Sequence, residues 1–385
     1  MKNYQLKIPG NLFGGAGSLA KTADILQKEG VKSVIVITDE GIRNAGLLET
    51  VLAAVERAGC AYAVLENPAP EPSYLDVETV IKNVDATEGD IILAVGGGSV
   101  MDVAKLASVL KNAPYTVKDL LETPEIAVKK RKAIMIPTTC GTGSEATCNA
   151  IVGIPEQGIK VGIVNQEMIP DYVILDPEMI AKLPKSIVAA TGVDALAHCV
   201  ECLTSKKANP FSDLYALAGG KLIFENLRAA YQNPEDKRAK ENMLLGAFYG
   251  GVAITASGTT AVHALSYPLG GKFHIPHGVS NAILFAHVME FNKDACLEPL
   301  ARMCDAIRPD LAKCPPSEKA DVIIREIADI VKITEIPVNL AQYGVKLSDL
   351  DFLVDAGSKV KRLLDNNLKP VTRLDIERIY RKVLL

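Results

Sequence analysis

The chain has 385 residues, 48% of them apolar and 23% charged, with no Trp and a net charge of −4. Its length favours two domains, and its composition excludes a largely disordered chain. No basic block suggests a nucleic-acid or membrane partner, and the opening MKNYQLKIPG lacks the apolar core of a signal peptide, so a cytoplasmic protein is expected.

Along the first half, short β-branched runs alternate with helical stretches. Residues 34–38 read as a buried strand, and 61–65, 91–95 and 133–136 as further strands. Residues 46–58, 73–84 and 99–110 read as the helices between them. This alternation predicts a parallel sheet with right-handed crossovers. Past residue 183 the strand-like runs stop, and helical spacing takes over in 189–204, 210–231 and 240–256. Residues 175–184, which carry Pro177 and Pro184, read as the hinge. The expected plan is a Rossmann-like α/β dinucleotide-binding domain over 1–183 and an all-α metal-binding and substrate domain over 184–385. The active site is expected in the cleft between them. No apolar run approaches the ~18 residues of a membrane span.

In an open parallel sheet, ligands bind beyond the carboxyl ends of the strands. After Val95 comes Gly96-Gly97-Gly98-Ser99, then Asp102 and Lys105. Three residues without a Cβ, leading into a helix N-terminus, suit a diphosphate, with Ser99 as a helix cap or phosphate donor. A plain tight turn is the blander reading. Pro137-Thr138-Thr139-Cys140-Gly141-Thr142-Gly143-Ser144-Glu145 follows the next strand and reads as a second wall for a nucleotide. Asp39, directly after residues 34–38, suits a ribose hydroxyl and disfavours a 2′-phosphate; an acid there is also a common helix cap. Gly14-Gly15-Ala16-Gly17 fails as a dinucleotide fingerprint: Ala20 stands at the third glycine and no apolar strand is expected before it.

Five histidines serve the whole chain. Asp194 and His198 are four apart and share one helix face. His263 lies on a second helical stretch, and His277 reads as a loop residue between Pro276 and Gly278. One Asp and three His from three segments suit a single Fe²⁺ or Zn²⁺ ion, since mixed N/O ligation separates the two poorly. The eight cysteines are scattered, and Cys199 and Cys202 form a C-x-x-C inside an apparent helix. Buried packing is the expected role of that pair.

Taken jointly, Gly96–Lys105, Pro137–Glu145, Gly192-Val-Asp194-Ala-Leu-Ala-His198, Val262-His263 and Ile275-Pro-His277-Gly278 resemble the iron-containing, group III alcohol dehydrogenases, in particular the lactaldehyde reductase and 1,3-propanediol dehydrogenase type. The resemblance covers nearly the whole chain. It implies a divalent metal on Asp194, His198, His263 and His277. It also implies NAD(H) contacts from Asp39, Gly97, Gly98, Ser99, Asp102, Thr138, Thr139, Thr142, Ser144 and Lys160, and a homodimer or larger assembly. Where lactaldehyde- and propanediol-type members carry a second histidine four residues after His263, this chain has Tyr267, so Tyr267 and His274 are the candidates for proton relay. The expected reaction is reversible hydride transfer between a short-chain primary alcohol or diol and its aldehyde. A metal-dependent lyase of the dehydroquinate-synthase type and a non-catalytic nucleotide-binding oligomer are the alternatives.

Overall fold

A computed structural model describes residues 3–66 and 70–384. The chain divides into two compact units, Lys7–Lys182 and Leu183–Leu385, the second also taking in the first few residues of the chain.

The first unit is built on a parallel sheet. Its strands are β1 (Asn11–Gly14), β2 (Ser33–Thr38), β3 (Ala61–Glu66), β4 (Ile91–Gly96), β5 (Lys132–Pro137) and, two strands later in the chain, β8 (Tyr172–Leu175). Their order is β1-β8-β5-β4-β2-β3. β2 and β4 are neighbours although β3 separates them in sequence, so the winding reverses there. That is the topological switch point of a doubly wound sheet. Every residue of β4 is buried, as a strand covered on both faces requires. The hairpin between β5 and β8, β6 (Asn149–Ile154) with β7 (Ile159–Val164), stands apart as a two-stranded antiparallel ribbon.

Helices α1 (Lys21–Lys28), α2 (Glu40–Asn44), α3 (Leu47–Arg57), α4 (Tyr74–Ala86), α5 (Gly98–Leu110) and α6 (Val117–Glu122) form the crossovers. Ser73 starts α4 through a capping box with Asp76. Two details differ from the sequence reading. A strand, β1, does precede Gly14; it is a four-residue edge strand with alternate residues half-buried, too short to show as an apolar run. The helix after the triple glycine begins at Gly98, with Gly97 at the capping position, and the Ser99 hydroxyl bonds the Pro70 carbonyl instead of capping.

The second unit is helical: α7 (Lys185–Leu203), α8 (Pro210–Gln232), α9 (Lys237–Ala256), α10 (Ala261–Phe273), α11 (His277–Asn292), α12 (Leu297–Ile307), α13 (Pro316–Ile333), α14 (Leu350–Ser358), α15 (Lys361–Leu364) and α16 (Arg373–Leu384). α7 has the length and mean hydropathy of a membrane span, but it carries Asp194, His198 and Glu201, and 78% of its most apolar stretch is buried within the protein. It is the core helix of this unit. Cys199 and Cys202 are buried within it as free thiols, and burial raises the Cys199 thiol to about 12. Neither is a ready thiolate, in line with a packing role.

One buried ion pair ties the first unit together. Lys105 on α5 is fully buried; its Nζ lies 2.9 Å from Asp102 Oδ1 and donates to Thr147 Oγ1 at 2.9 Å and to the Ser144 carbonyl at 3.1 Å. Replacing Lys105 with Met strands the Asp102 carboxylate without its cation. We expect a loss of about 3–5 kcal/mol in denaturant unfolding, with the Asp102→Leu, Lys105→Met double variant less destabilised than the single one.

Candidate metal centre and nucleotide loops

Three helices bring four ligand candidates together. α7 presents Asp194 and His198 one turn apart, α10 presents His263, and α11 presents His277 as its first residue rather than as a loop residue. Gly278 lets α11 approach α7 closely: a Cβ there would stand 2.1 Å from the Ala190 carbonyl oxygen. His274, with φ of 54°, closes α10 in the left-handed region and turns the chain into α11.

Asp194 Oδ1 is the common point. It lies 3.7 Å from His198 Nε2, 3.5 Å from His263 Nε2 and 3.7 Å from His277 Nε2. The ligand atoms of Asp194, His263 and His277 all fall within 4.8 Å of one another. Atoms held about 2.1 Å from one tetrahedral ion stand about 3.4 Å apart, so the spacings among Asp194, His263 and His277 fit a single divalent cation; His198 lies outside that mutual group and approaches it at Asp194 Oδ1. Asp194, His198 and His263 are each no more than 4% exposed. Burial by itself would raise the Asp194 carboxyl; the three imidazoles outweigh it and hold the group ionised, well below the usual carboxylate range. Burial would lower His263, but the carboxylates of Glu201 and Asp194 raise it to about 10. A cation entering the site displaces that proton, so its binding strengthens as pH rises.

Two residues here were not singled out from sequence. Glu201 on α7 is fully buried. Its Oε1 accepts from Thr260 N at 3.0 Å, Thr260 Oγ1 at 2.8 Å and Val262 N at 2.8 Å, and its Oε2 pairs with His263 Nδ1. One carboxylate thus caps the N-terminus of α10, which has no side-chain cap of its own, and orients the imidazole that α10 carries. Asn281, one turn after His277, donates to Asp194 Oδ1 at 2.6 Å. The signal in the sequence was helical spacing: Glu201 lies seven residues after Asp194, and Asn281 four after His277.

The nucleotide candidates gather at the carboxyl ends of β2, β4 and β5. Asp39 caps α2, accepting from Ile42 N at 2.9 Å. Gly96 pairs with Pro137 across adjacent strands, so the triple-glycine turn and the hydroxyl-rich loop leave the sheet side by side. A Cβ on Gly98 would come within 2.8 Å of Thr142 Cγ2, and one on Gly97 within 3.4 Å of Thr139 Cγ2. Thr138 Oγ1 and Thr139 Oγ1 are buried without a hydrogen-bond partner. Asp102 and Ser144 are engaged internally: Asp102 accepts from Ser144 Oγ at 2.5 Å and from Ile151 N at 2.9 Å. Lys160, on β7, pairs with Glu71 at 2.8 Å. Burial lifts the carboxyl of Glu145, at the end of the hydroxyl-rich loop, to about 7. Tyr267 is buried on α10 with its ring centroid 6.2 Å from that of His277, whereas His274 is exposed.

If Glu201 orients His263 for a metal, then Glu201→Gln, which keeps the shape but removes the charge, weakens divalent-ion binding about 10–100-fold. Titration of the metal-free variant with Co²⁺ against a competing chelator measures this; wild-type affinity would remove Glu201 from that role.

Comparisons with known proteins place the chain in a family. The family model described as iron-containing alcohol dehydrogenase matches residues 9–177, and that of the Fe-containing alcohol dehydrogenase family, C-terminal, matches residues 188–384. The long-chain-alcohol dehydrogenase 1 of Geobacillus thermodenitrificans is 34% identical over 369 residues, covering 95% of this chain and 93% of the relative. The 4-hydroxybutyrate dehydrogenase of Clostridium kluyveri is 33% identical over 316 residues, covering 81% and 84%. Among solved structures, a 1,3-propanediol oxidoreductase superposes with a TM-score of 0.94 at 28% identity, covering 99% of this chain and all of that one. With both halves matched by its models, the chain belongs to the iron-containing alcohol dehydrogenase family.

Proposed function

We propose that this alcohol dehydrogenase is an NAD(H)-dependent, divalent-metal-dependent enzyme that interconverts a short-chain primary alcohol or diol and its aldehyde. The observation that carries the reading is Asp194 Oδ1 at 3.5–3.7 Å from three imidazole nitrogens in an apolar helical core. Asp194, His198, His263 and His277 would hold the ion, Fe²⁺ by family and Zn²⁺ as the alternative with the same donor set. When bound, it supplies a Lewis acid that polarises the carbonyl or alkoxide oxygen, while the nicotinamide supplies or takes the hydride.

The protein's own contribution is orientation and charge. Asp194 offers the negative charge that retains a dication, and Glu201 fixes the His263 ring so that Nε2 faces inward. The triple-glycine turn at the N-terminus of α5 offers backbone N–H groups to a diphosphate. The unpartnered hydroxyls of Thr138 and Thr139 support a polar ligand beside it. The closeness of Tyr267 to His277 supports Tyr267 as the group that passes a proton to or from the substrate oxygen; His274 is the second candidate. The relatives are named for long-chain, anionic and diol alcohols, so their names leave chain length and charge open. Eight cysteines outside any disulfide, seven of them buried, support the cytoplasm as its place. The edge strand β1, with Leu12 43% exposed, supports a homodimer or larger assembly.

Anaerobically purified, Fe²⁺-loaded protein should oxidise NADH with short aldehydes, and a chelator should stop it. In His263→Ala, metal content and turnover should disappear together. An absence of NADH oxidation across short aldehydes, whether unsubstituted, ω-hydroxy or ω-carboxylate, with metal bound, would sink the proposal. Replacing Asp39 with Gly, a tolerated capping residue, should raise NADPH use relative to NADH. An unchanged ratio of kcat/KM values for the two cofactors would take Asp39 out of the ribose site.

A further inference from the structure

The turn at 257–260 leads from α9 into α10, and a residue 107 positions after Thr259 holds it. Asn366 is 4% exposed. Its Nδ2 donates to the Thr259 carbonyl at 3.2 Å, and its own backbone carbonyl accepts from Lys206 N at 2.7 Å, just past the end of α7. Gly258 stands in the left-handed region with φ of 89°. A Cβ there would lie 3.2 Å from Asn366 Nδ2, so the amide fills the space that a side chain at 258 would take. The next residue, Asn367, is fully buried and exchanges amide hydrogen bonds of 2.7 and 2.9 Å with Asn292, the last residue of α11. Two consecutive asparagines thus reach the end of α7, the start of α10 and the end of α11, the three helices that carry the ligand candidates.

From Thr259 the contacts run on into the site. Thr260 N, Thr260 Oγ1 and Val262 N donate to Glu201 Oε1, and Glu201 Oε2 pairs with His263 Nδ1. A shift of the turn moves these three donors against the carboxylate, which then follows them or loses them. In either case the His263 ring loses a fixed partner at Nδ1. Metal ligands work within about 0.5 Å of their proper places, and that precision comes from hydrogen-bonded supports behind them. Gly258 gives the turn the freest backbone of any residue, so an anchor from outside the turn matters most there.

We propose that Asn366 is a positioning residue of the metal centre. By fixing the 257–260 turn it fixes Glu201, and through Glu201 the ring of His263. The inference rests on the reading of Asp194, His198, His263 and His277 as a metal centre.

The test is Co²⁺ titration of wild type, Asn366→Ala, Asn366→Leu, Glu201→Gln and the Glu201→Gln, Asn366→Ala double variant. Affinity is read by chelator competition and geometry by the visible Co²⁺ spectrum, with thermal melting of each protein. Asn366→Leu keeps the number of side-chain atoms and removes the donor. Both Asn366 variants should bind Co²⁺ about 10-fold more weakly, the low end of what loss of an outer support costs, with a shifted spectrum. Because the effect passes through Glu201, Asn366→Ala should cost less affinity when Glu201 is already Gln. A lower melting temperature with wild-type affinity and spectrum would overturn the proposal, making Asn366 a purely structural amide. An undiminished loss on top of Glu201→Gln would overturn the route through Glu201. If Asn366→Ala does not fold, Asn366→Leu is judged by the same affinity and spectrum. Failure of the wild type to take up Co²⁺ would remove the metal-centre reading itself; wild-type binding matched by the Asn366 variants would remove only the role of Asn366.

Discussion

A carboxylate stripped of water inside an apolar helix bundle is the constraint on which the helical unit turns. Leaving Asp194 unpaired at 3% exposure would cost several kcal/mol. The fold meets that charge with three imidazoles and one amide drawn from α7, α10 and α11. The local features around it follow from this requirement. Gly278 removes a Cβ so that α11 can close on α7. Glu201 collects the N-terminal donors of α10 and the ring of His263 on one carboxylate. His274 accepts a left-handed conformation so that α10 ends and α11 begins within a few residues. A site that gathers three imidazoles round one buried carboxylate also presents the N and O donors that a divalent ion takes.

The α/β unit faces the opposite electrostatic task. An anionic nucleotide needs donors rather than acceptors, and backbone N–H groups at a helix start supply them without desolvating a lysine. Lys105 shows the division of labour. Its charge is spent inward on Asp102 and on carbonyls and a hydroxyl of the neighbouring loop, fixing α5 against the segment that follows β5. What remains beside the turn is small: glycines, and two buried threonine hydroxyls that the protein does not satisfy itself. Asp102 and Ser144, implied as nucleotide contacts by family resemblance, owe their positions first to this internal pairing.

Helices and strands with a strong period were legible in the chain. The apolar runs match β2 to β5 within a residue at each end. β2, β4 and β5 are covered on both faces and so are apolar almost throughout; β3 is an edge strand, apolar in sequence yet with none of its residues fully buried. β1, β8 and the β6–β7 hairpin were not read. β1 is an edge strand of four residues, and the hairpin is half-exposed, so neither shows a continuous run of buried apolar residues. The site was legible where its residue types are rare. Five histidines in 385 residues stand out, whereas Glu201 and Asn281 are common residues on helices and announce themselves only by sharing a face with a ligand.

By itself the sequence determined the two-part organisation, the glycine turn after a buried strand and the identity of the four ligand candidates. These follow from periodicity and composition, which are local properties. Only the tertiary structure decided that one oxygen of Asp194 is the shared point for three imidazoles, that Glu201 caps α10 and orients His263 at once, and that Asn281 lies among the ligands. Apart from Asp194 with His198, one helical turn apart, these contacts join residues tens of positions apart. The packing of whole helices sets such contacts, and no local period encodes it.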